Sequence, residues 1–313
     1  MNALALPSTG VPPSAGWAPC SDRSLTRNDP LMGTGGFGQR WFLVEIDGSW
    51  GQHAFLNSRL EPELARRLVR RVERAGMRPL AIRRVNRRAD ARRAQSEWRW
   101  AVVDSRSGHE SVRWGSVRDP RELLDVPLDG STGEPSDDPI ICVCTHARHD
   151  QCCAVKGRPV ATALAAAFPD ETWECSHLGG DRFAATLILF PEGLYYGRAT
   201  VDGAPDLVER YQEGLVDPRT YRGRSSLPNV VQAAESAARA RTGENAIAAF
   251  THRSTQARPD GWTVTFDYHG DDVVVRLAAA MSAPLLTTCE ATVALPVREF
   301  EVLNVELAHH PVG

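Results

Sequence analysis

The chain has 313 residues, 42% hydrophobic and 24% charged, the balance of a globular protein with room for two or three domains. A formal net charge of −3 excludes a uniformly basic nucleic-acid binder, and no run approaches the ~20 apolar residues that cross a bilayer. The start, Met1 to Pro7, lacks the charged region and apolar length of a signal peptide, so a cytoplasmic chain with reduced thiols is expected.

Residues 1–38 are rich in Pro, Gly and Ser without periodicity and are expected to form a loose arm, with Cys20 a bystander. A strand at 41–46 closes on Asp47 and Gly48. Leu64, Leu68, Val69 and Val72 recur at helical spacing over about 60–75, and Gly76 stops the run. Strands follow at 80–85, 97–104 and 110–116, the last two a hairpin, and a short helix near 119–125 closes this unit. Residues 126–138 combine turn formers and acids with almost no apolar content and read as a linker.

The second unit opens with a buried strand at 139–144. Pro159 suits the first turn of an Ala/Leu helix reaching Phe168. Strands at 172–175, 183–190 and 194–199 follow, then a helix near 204–214. The order β-α-β-β-β-α is that of a thioredoxin-like domain. The fold expected is therefore α/β: a thioredoxin-like domain at 139–225, preceded at 39–125 by an α/β domain of the same coarse order. After Pro228 come an Ala-rich amphipathic helix to about Arg241 and strand-like runs at 262–268, 272–278, 286–294 and 299–307. Residues 226–313 read as a small α+β region with no chemistry of their own.

Five of the seven cysteines and three of the nine histidines lie between Cys142 and His177. Soft thiolates crowded with imidazoles are what a transition-metal or iron–sulfur site requires, and an odd, clustered set suits metal better than a disulfide framework. Cys144 ends a strand and is separated by eight residues from Cys153, at the edge where loops of an open α/β sheet converge on ligands. His177 and Asp181 offer two more ligands at i and i+4, and Gly179 and Gly180 between them let the backbone bend tightly against a cofactor. Plainer readings stand beside these: Cys142 and Cys175 as small core residues, Cys152 as packing, His146 and His149 as loop surface. Zinc is the next rival, since two cysteines, a histidine and an aspartate satisfy a tetrahedral site, although the spacing is not that of a structural zinc module. Thiol redox chemistry is a further alternative, but Cys152 and Cys153 are vicinal, not C-x-x-C.

Cys144-x8-Cys153, His177-x-Gly179-Gly180, Phe183-Ala184 and Tyr196-Gly197-Arg198 together resemble the sucrase/ferredoxin-like family, most strongly over residues 140–200. Weaker likeness extends to Pro30 to Thr34, to Trp50 and Gly51, and to Arg222 to Pro228. The resemblance implies a thioredoxin-like ferredoxin domain holding a 2Fe-2S cluster, with Cys144 and Cys153 on one iron, His177 on the other, and Gly179 and Gly180 at the cofactor. The family pattern has a second histidine where this chain has Asp181. Three alternatives are open for the fourth position, in this order: Asp181, Cys175, or solvent.

The function expected is single-electron transfer without substrate turnover; the alternative is a zinc- or thiol-dependent thioredoxin-like oxidoreductase. The expected partners are a redox protein and the iron–sulfur assembly machinery, with neither nucleic acid nor membrane. Twelve arginines and only two acids, Glu73 and Asp90, occupy residues 66–93. The run reads first as a solvated face and second as a docking patch for an acidic redox partner. No aromatic residue interleaves with it to stack bases.

Overall fold

The computed structural model describes residues 18–87 and 95–308. The stretch expected to be a loose arm contains a helix, α1 (Cys20–Arg27). Its buried face is Cys20, Ser21 and Ser24, with no aliphatic stripe for hydrophobic periodicity to detect. Asp22 in the first turn and Arg27 in the last suit the helix dipole, and left-handed Asn28 ends the helix.

The first half of the main sheet comprises β1 (Arg40–Glu45), α2 (Pro62–Arg74), β2 (Arg78–Arg84), β3 (Trp98–Asp104) and β4 (Ser111–Val117). Glu61 caps α2 by accepting from the N–H groups of Glu63 and Leu64, and Pro62 sits at its first position. β2 runs parallel to β1, β3 antiparallel to the other side of β1, and β4 antiparallel to β3. Within the stretch read as a linker, β5 (Glu134–Ser136) adds an edge strand to β4. The second half comprises β6 (Ile140–Cys144), α3 (Gln151–Ala167), β7 (Thr172–Cys175), β8 (Leu187–Phe190), β9 (Leu194–Tyr196) and α4 (Gly203–Gln212). Its connections repeat those of the first half: β7 parallel to β6, β8 antiparallel to β6, β9 antiparallel to β8. This is thioredoxin-like topology, present twice.

The halves join through an antiparallel pair, β2 with β7, in the register Ile82 to Cys175, Arg83 to Glu174 and Arg84 to Trp173. With β10 (Tyr221–Arg224) beside β9, a single sheet runs β10-β9-β8-β6-β7-β2-β1-β3-β4-β5. One of its faces forms a core shared by both halves, where Trp41, Leu43 and Ile82 meet Cys142, Trp173 and Phe190. The other face is covered by α2 in the first half and by α3 and α4 in the second. Two buried faces explain why the central strands read as unbroken apolar runs.

α3 begins eight residues before the proline expected to open it. Asp150 accepts from the Cys152 N–H at 2.7 Å and caps the helix, while Pro159 falls inside it. The cap contributes about 1 kcal/mol against the roughly 3 kcal/mol that an internal proline costs, and the burial of Val160, Ala161 and Leu164 against the sheet carries the helix past Pro159. Cys152 and Cys153 are thus first-turn helix residues, not loop residues.

Beyond β10, α5 (Asn229–Thr242) packs on a second sheet of β11 (Thr251–Arg258), β12 (Gly261–Tyr268), β13 (Asp271–Met281) and β14 (Arg298–Ala308), paired in that order. β11 escaped sequence reading because nearly all its side chains are exposed and polar. The expected strand at 286–294 is instead an irregular excursion between β13 and β14, pinched by one bridge from Leu285 to Leu295. Part of the arginine run is structural rather than solvated: Arg83 is buried against Glu174, Arg84 stacks on Trp173 and Arg78 on Trp41. Residues 88–94 of that run lie outside the described residues.

Candidate metal centre

β6 and β7 lie in parallel register and deliver Cys144 and the His177 loop to the same edge of the sheet. α3 packs directly on β6 there: a Cβ on Gly157 would lie 2.1 Å from the Cys144 carbonyl oxygen. That close approach sets Cys153, one turn earlier on the helix, against the end of β6. The donor atoms of Cys144, Cys153 and His177 lie within 4.8 Å of one another. Asp181 Oδ1 is 3.1 Å from Cys153 Sγ and 3.1 Å from His177 Nδ1. Sequence distance is bridged by topology, and three of the four residues named from spacing meet directly, with the fourth touching two of them.

The electrostatics of the site fit a cation. Burial alone would lower the His177 pKa, yet Asp181 and Cys144 beside it push the imidazole up to about 9. Cys144 is drawn well below the usual thiol range by the hydrogen bond from Cys153, against the opposing cost of burial. Burial would raise the Asp181 carboxyl, but His177 outweighs it and holds the group ionised. His177 Nδ1 is near Asp181 without the alignment of a hydrogen bond, so a buried ring nitrogen is left without a hydrogen-bond partner. An orphaned imidazole nitrogen beside two thiols and a carboxylate is a donor set that suits a soft or borderline metal.

His146 is not loop surface but a structural post. Its Nε2 meets the Gly51 carbonyl oxygen at 2.6 Å, and its Nδ1 accepts from the His177 N–H at 3.3 Å. Both ring nitrogens are engaged, which assigns the neutral tautomer with the proton on Nε2 and leaves neither nitrogen for a metal. Trp50 meets the same ring edge-on at 5.9 Å. His149, also read as surface, stacks on His177 with ring centroids 3.5 Å apart and approaches Asp181 at 4.0 Å. Its position in the turn just before the α3 cap carries no sequence signal for that stacking. Cys175 lies in the shared core with Cys142, and burial raises its thiol well above the usual range, with Cys142 adding to the shift. It stays a core residue.

The paired glycines are needed for their backbone. Gly179 and Gly180 have φ of 92° and 80°. Beside Gly180 the crowding comes from Arg222, whose Nη2 would lie 2.2 Å from an added Cβ. Arg222 is fully buried and donates to the Gly179 carbonyl and, through Nε and Nη2, to Thr34. Burial lowers its pKa to about 10, so it remains a cation beside the thiols.

The fragments Thr34, Trp50, Gly51 and Arg222 thus surround the centre they were grouped with by sequence alone. The family model for sucrase/ferredoxin-like proteins matches residues 31–223, most of the chain. The chain belongs to the sucrase/ferredoxin-like family. A curated relative, altered inheritance of mitochondria protein 32 from Candida glabrata, is 26% identical over 109 residues, 30% of this chain and 35% of that protein. The chain thus matches about a third of that relative's length. Among solved structures, a thioredoxin-like [2Fe-2S] ferredoxin from Aquifex aeolicus is 18% identical and matches over 30% of this chain and 97% of that one, with a TM-score of 0.26. A cysteine-to-serine variant of the same ferredoxin matches over 26% of this chain and 96% of its own, with 19% identity and a TM-score of 0.24. Among the described residues of this family member, no helix is long and apolar enough to cross a membrane.

Proposed function

We propose that the chain is a one-electron carrier that holds a 2Fe-2S cluster through Cys144 and Cys153 on one side and His177 and Asp181 on the other. The observation that carries this is the division of the donors into a buried thiol pair and an imidazole–carboxylate pair that share one edge of the sheet. Family membership supports it. The cluster would supply a reversible one-electron change, with the electron entering from one redox protein and leaving to another. What the chain contributes is placement and charge. Cys144 and Cys153 are closed off from solvent, whereas the His177 and His149 side chains are 27% and 36% exposed. A cleft of about 240 Å³, lined by Phe55, Leu56, His149 and His177, opens on that face. Electrons would therefore enter and leave on the histidine side.

Ligand charge sets the expected potential. All-cysteine plant-type clusters lie near about −400 mV and histidine-ligated ones at roughly −150 to +300 mV. Two thiolates, one carboxylate and one imidazole fall between, and the buried Arg222 cation shifts the balance towards the reduced form. The decisive measurement is anaerobic purification with iron and acid-labile sulfide analysis, followed by EPR of the reduced protein. Brown protein with two irons and two sulfides per chain, lost in Cys153→Ser, is expected.

A second reading rests on how compact the donors are: Cys144, Cys153 and His177 are close enough together to serve a single tetrahedral zinc. Colourless protein carrying zinc at these residues would establish it and end the ferredoxin reading.

A further inference from the structure

The three cysteines left out of that centre, apart from the core pair Cys142 and Cys175, meet at one point. Cys20 opens α1, Cys152 lies in the first turn of α3, and Cys289 lies in the excursion between β13 and β14. Their sulfurs form a triangle: Cys20 to Cys152 at 3.5 Å, Cys152 to Cys289 at 3.0 Å, Cys20 to Cys289 at 3.6 Å. Asp150 stands over the triangle, with its two carboxylate oxygens 4.0 and 3.9 Å from Cys20 Sγ. All four donor atoms lie within 4.8 Å of one another. Cys20, Asp150 and Cys152 are almost fully buried, and Cys289 is half-buried.

Adjacent residues on a helix point about 100° apart. The vicinal pair therefore divides: Cys153 turns towards Cys144, and Cys152 turns outward to Cys20 and Cys289. The chain brings these sulfurs together from positions 132, 137 and 269 residues apart. Core packing does not need three thiols and an acid in one place.

We infer that Cys20, Cys152 and Cys289, with Asp150 as fourth donor, form a second metal site that takes a soft divalent cation of the zinc type. Zinc–sulfur bonds of about 2.3 Å in a tetrahedron put the sulfurs about 3.8 Å apart, within about 1 Å of each edge of the triangle. A carboxylate has about four lone-pair positions. Asp150 uses two on the N–H groups of Cys152 and Cys289, both at 2.7 Å, and retains others for a metal. The N–H of Cys20 points at Cys289 Sγ at 3.5 Å, and the hydroxyl of Ser21 meets Cys152 Sγ at 3.4 Å, contacts that stabilise thiolates. The N-terminus of α3 adds its partial positive charge behind Cys152.

Binding releases the thiol protons to solvent and leaves a cross-link between three segments that otherwise share little packing. Arg23 already reaches the Thr288 carbonyl, and Lys156 of α3 pairs with Asp22 of α1 at 2.9 Å. The site is a staple: it ties the N-terminal helix and the C-terminal excursion to the helix that carries Cys153. It stands independently of what the neighbouring centre holds.

The test uses the full chain, with zinc counted by mass spectrometry of the metal and cobalt(II) as an optical probe. The Cys144→Ser/Cys153→Ser variant, which lacks the first centre, should retain one zinc per chain and show thiolate-to-cobalt charge-transfer bands on exchange. Adding Cys289→Ser to that variant should abolish both; this position is half-exposed in an irregular segment, so folding is expected to survive, and circular dichroism checks that it does. Cys20→Ser should reproduce the loss. Zinc content unchanged by Cys20→Ser and Cys289→Ser overturns the proposal. So does a Cys152–Cys289 disulfide found by mass spectrometry of the unreduced protein purified with zinc.

Discussion

Asp181 is the residue on which the proposed ligation turns. Its carboxylate touches Cys153 and His177, and His149 stands just beyond hydrogen-bond range of it. Asp181→His exchanges an anionic donor for a neutral one, so the reduction potential should rise by on the order of 100 mV. An EPR-monitored redox titration measures this, and an unchanged potential would move the fourth ligand away from position 181. Asp29 has a different duty. Arg182, next to Asp181, pairs with Asp29 at 3.5 Å, and Arg27 holds it at 2.8 Å. Burial would raise the Asp29 pKa, but these arginines lower it below its ordinary value. A carboxyl whose folded pKa is depressed stabilises the fold above its unfolded pKa of about 3.9 and loses that effect as pH falls through the folded value. The urea midpoint of Asp29→Asn should therefore lie below wild type at pH 7 and converge with it towards pH 3. Cys144, Cys153, His177 and Asp181 were legible because two short spacings on one edge of a fold announce them. Cys20, Cys289 and His149 were not, because only tertiary contact gives them partners.

At the scale of elements, α3 is the hinge of the site, and Gly157 fixes its distance from β6. Gly157→Ala would drive a methyl into the Cys144 carbonyl at 2.1 Å, with backbone rather than a flexible side chain in the way. Overpacking of this kind costs about 1 to 3 kcal/mol, and the helix can relieve it only by moving Cys153 away from Cys144. Lower thermal stability and reduced iron content together are expected, whereas Val155→Ala on the same helix, at a position 49% exposed, should leave both unchanged. Unaltered iron content in Gly157→Ala would show that the thiol spacing does not depend on this contact. The helix itself was visible in its Ala and Leu residues, but its start was not: Pro159 imitated a first turn, and the true cap, Asp150, lay among polar loop residues. The strands with two buried faces were easily found. β11 was lost because its polar, exposed side chains have no alternation to detect.

At the scale of the molecule, the two thioredoxin-like halves have become one sheet, and the seam is where the first half acts on the second. Arg83 and Glu174 face each other across it at 2.6 Å, both nearly inaccessible to solvent. Arg83 also donates to the Gly48 carbonyl, reaches Thr145 beside Cys144, and stacks on Trp50. Gly48 and Trp50 belong to the segment that supplies the Gly51 carbonyl to His146, so one guanidinium links the seam to the His146 post. Element order alone suggested that the first half resembles the second, but the seam could not be foreseen. It depends on which strands meet edge to edge, and Arg83 was read with its neighbours as part of a solvated face. Removing one member of a buried ion pair leaves the other uncompensated, at a cost of about 3 to 5 kcal/mol, whereas replacing both with apolar residues is often neutral. Glu174→Gln should therefore lower the urea midpoint sharply, and Arg83→Met/Glu174→Leu should recover most of it. The two variants separate stability from site geometry. If Arg83 acts on the centre through Thr145 and Trp50, the double variant will be stable yet bind iron less completely than wild type. A double variant with full stability and full iron content would confine the pair to holding the sheet together.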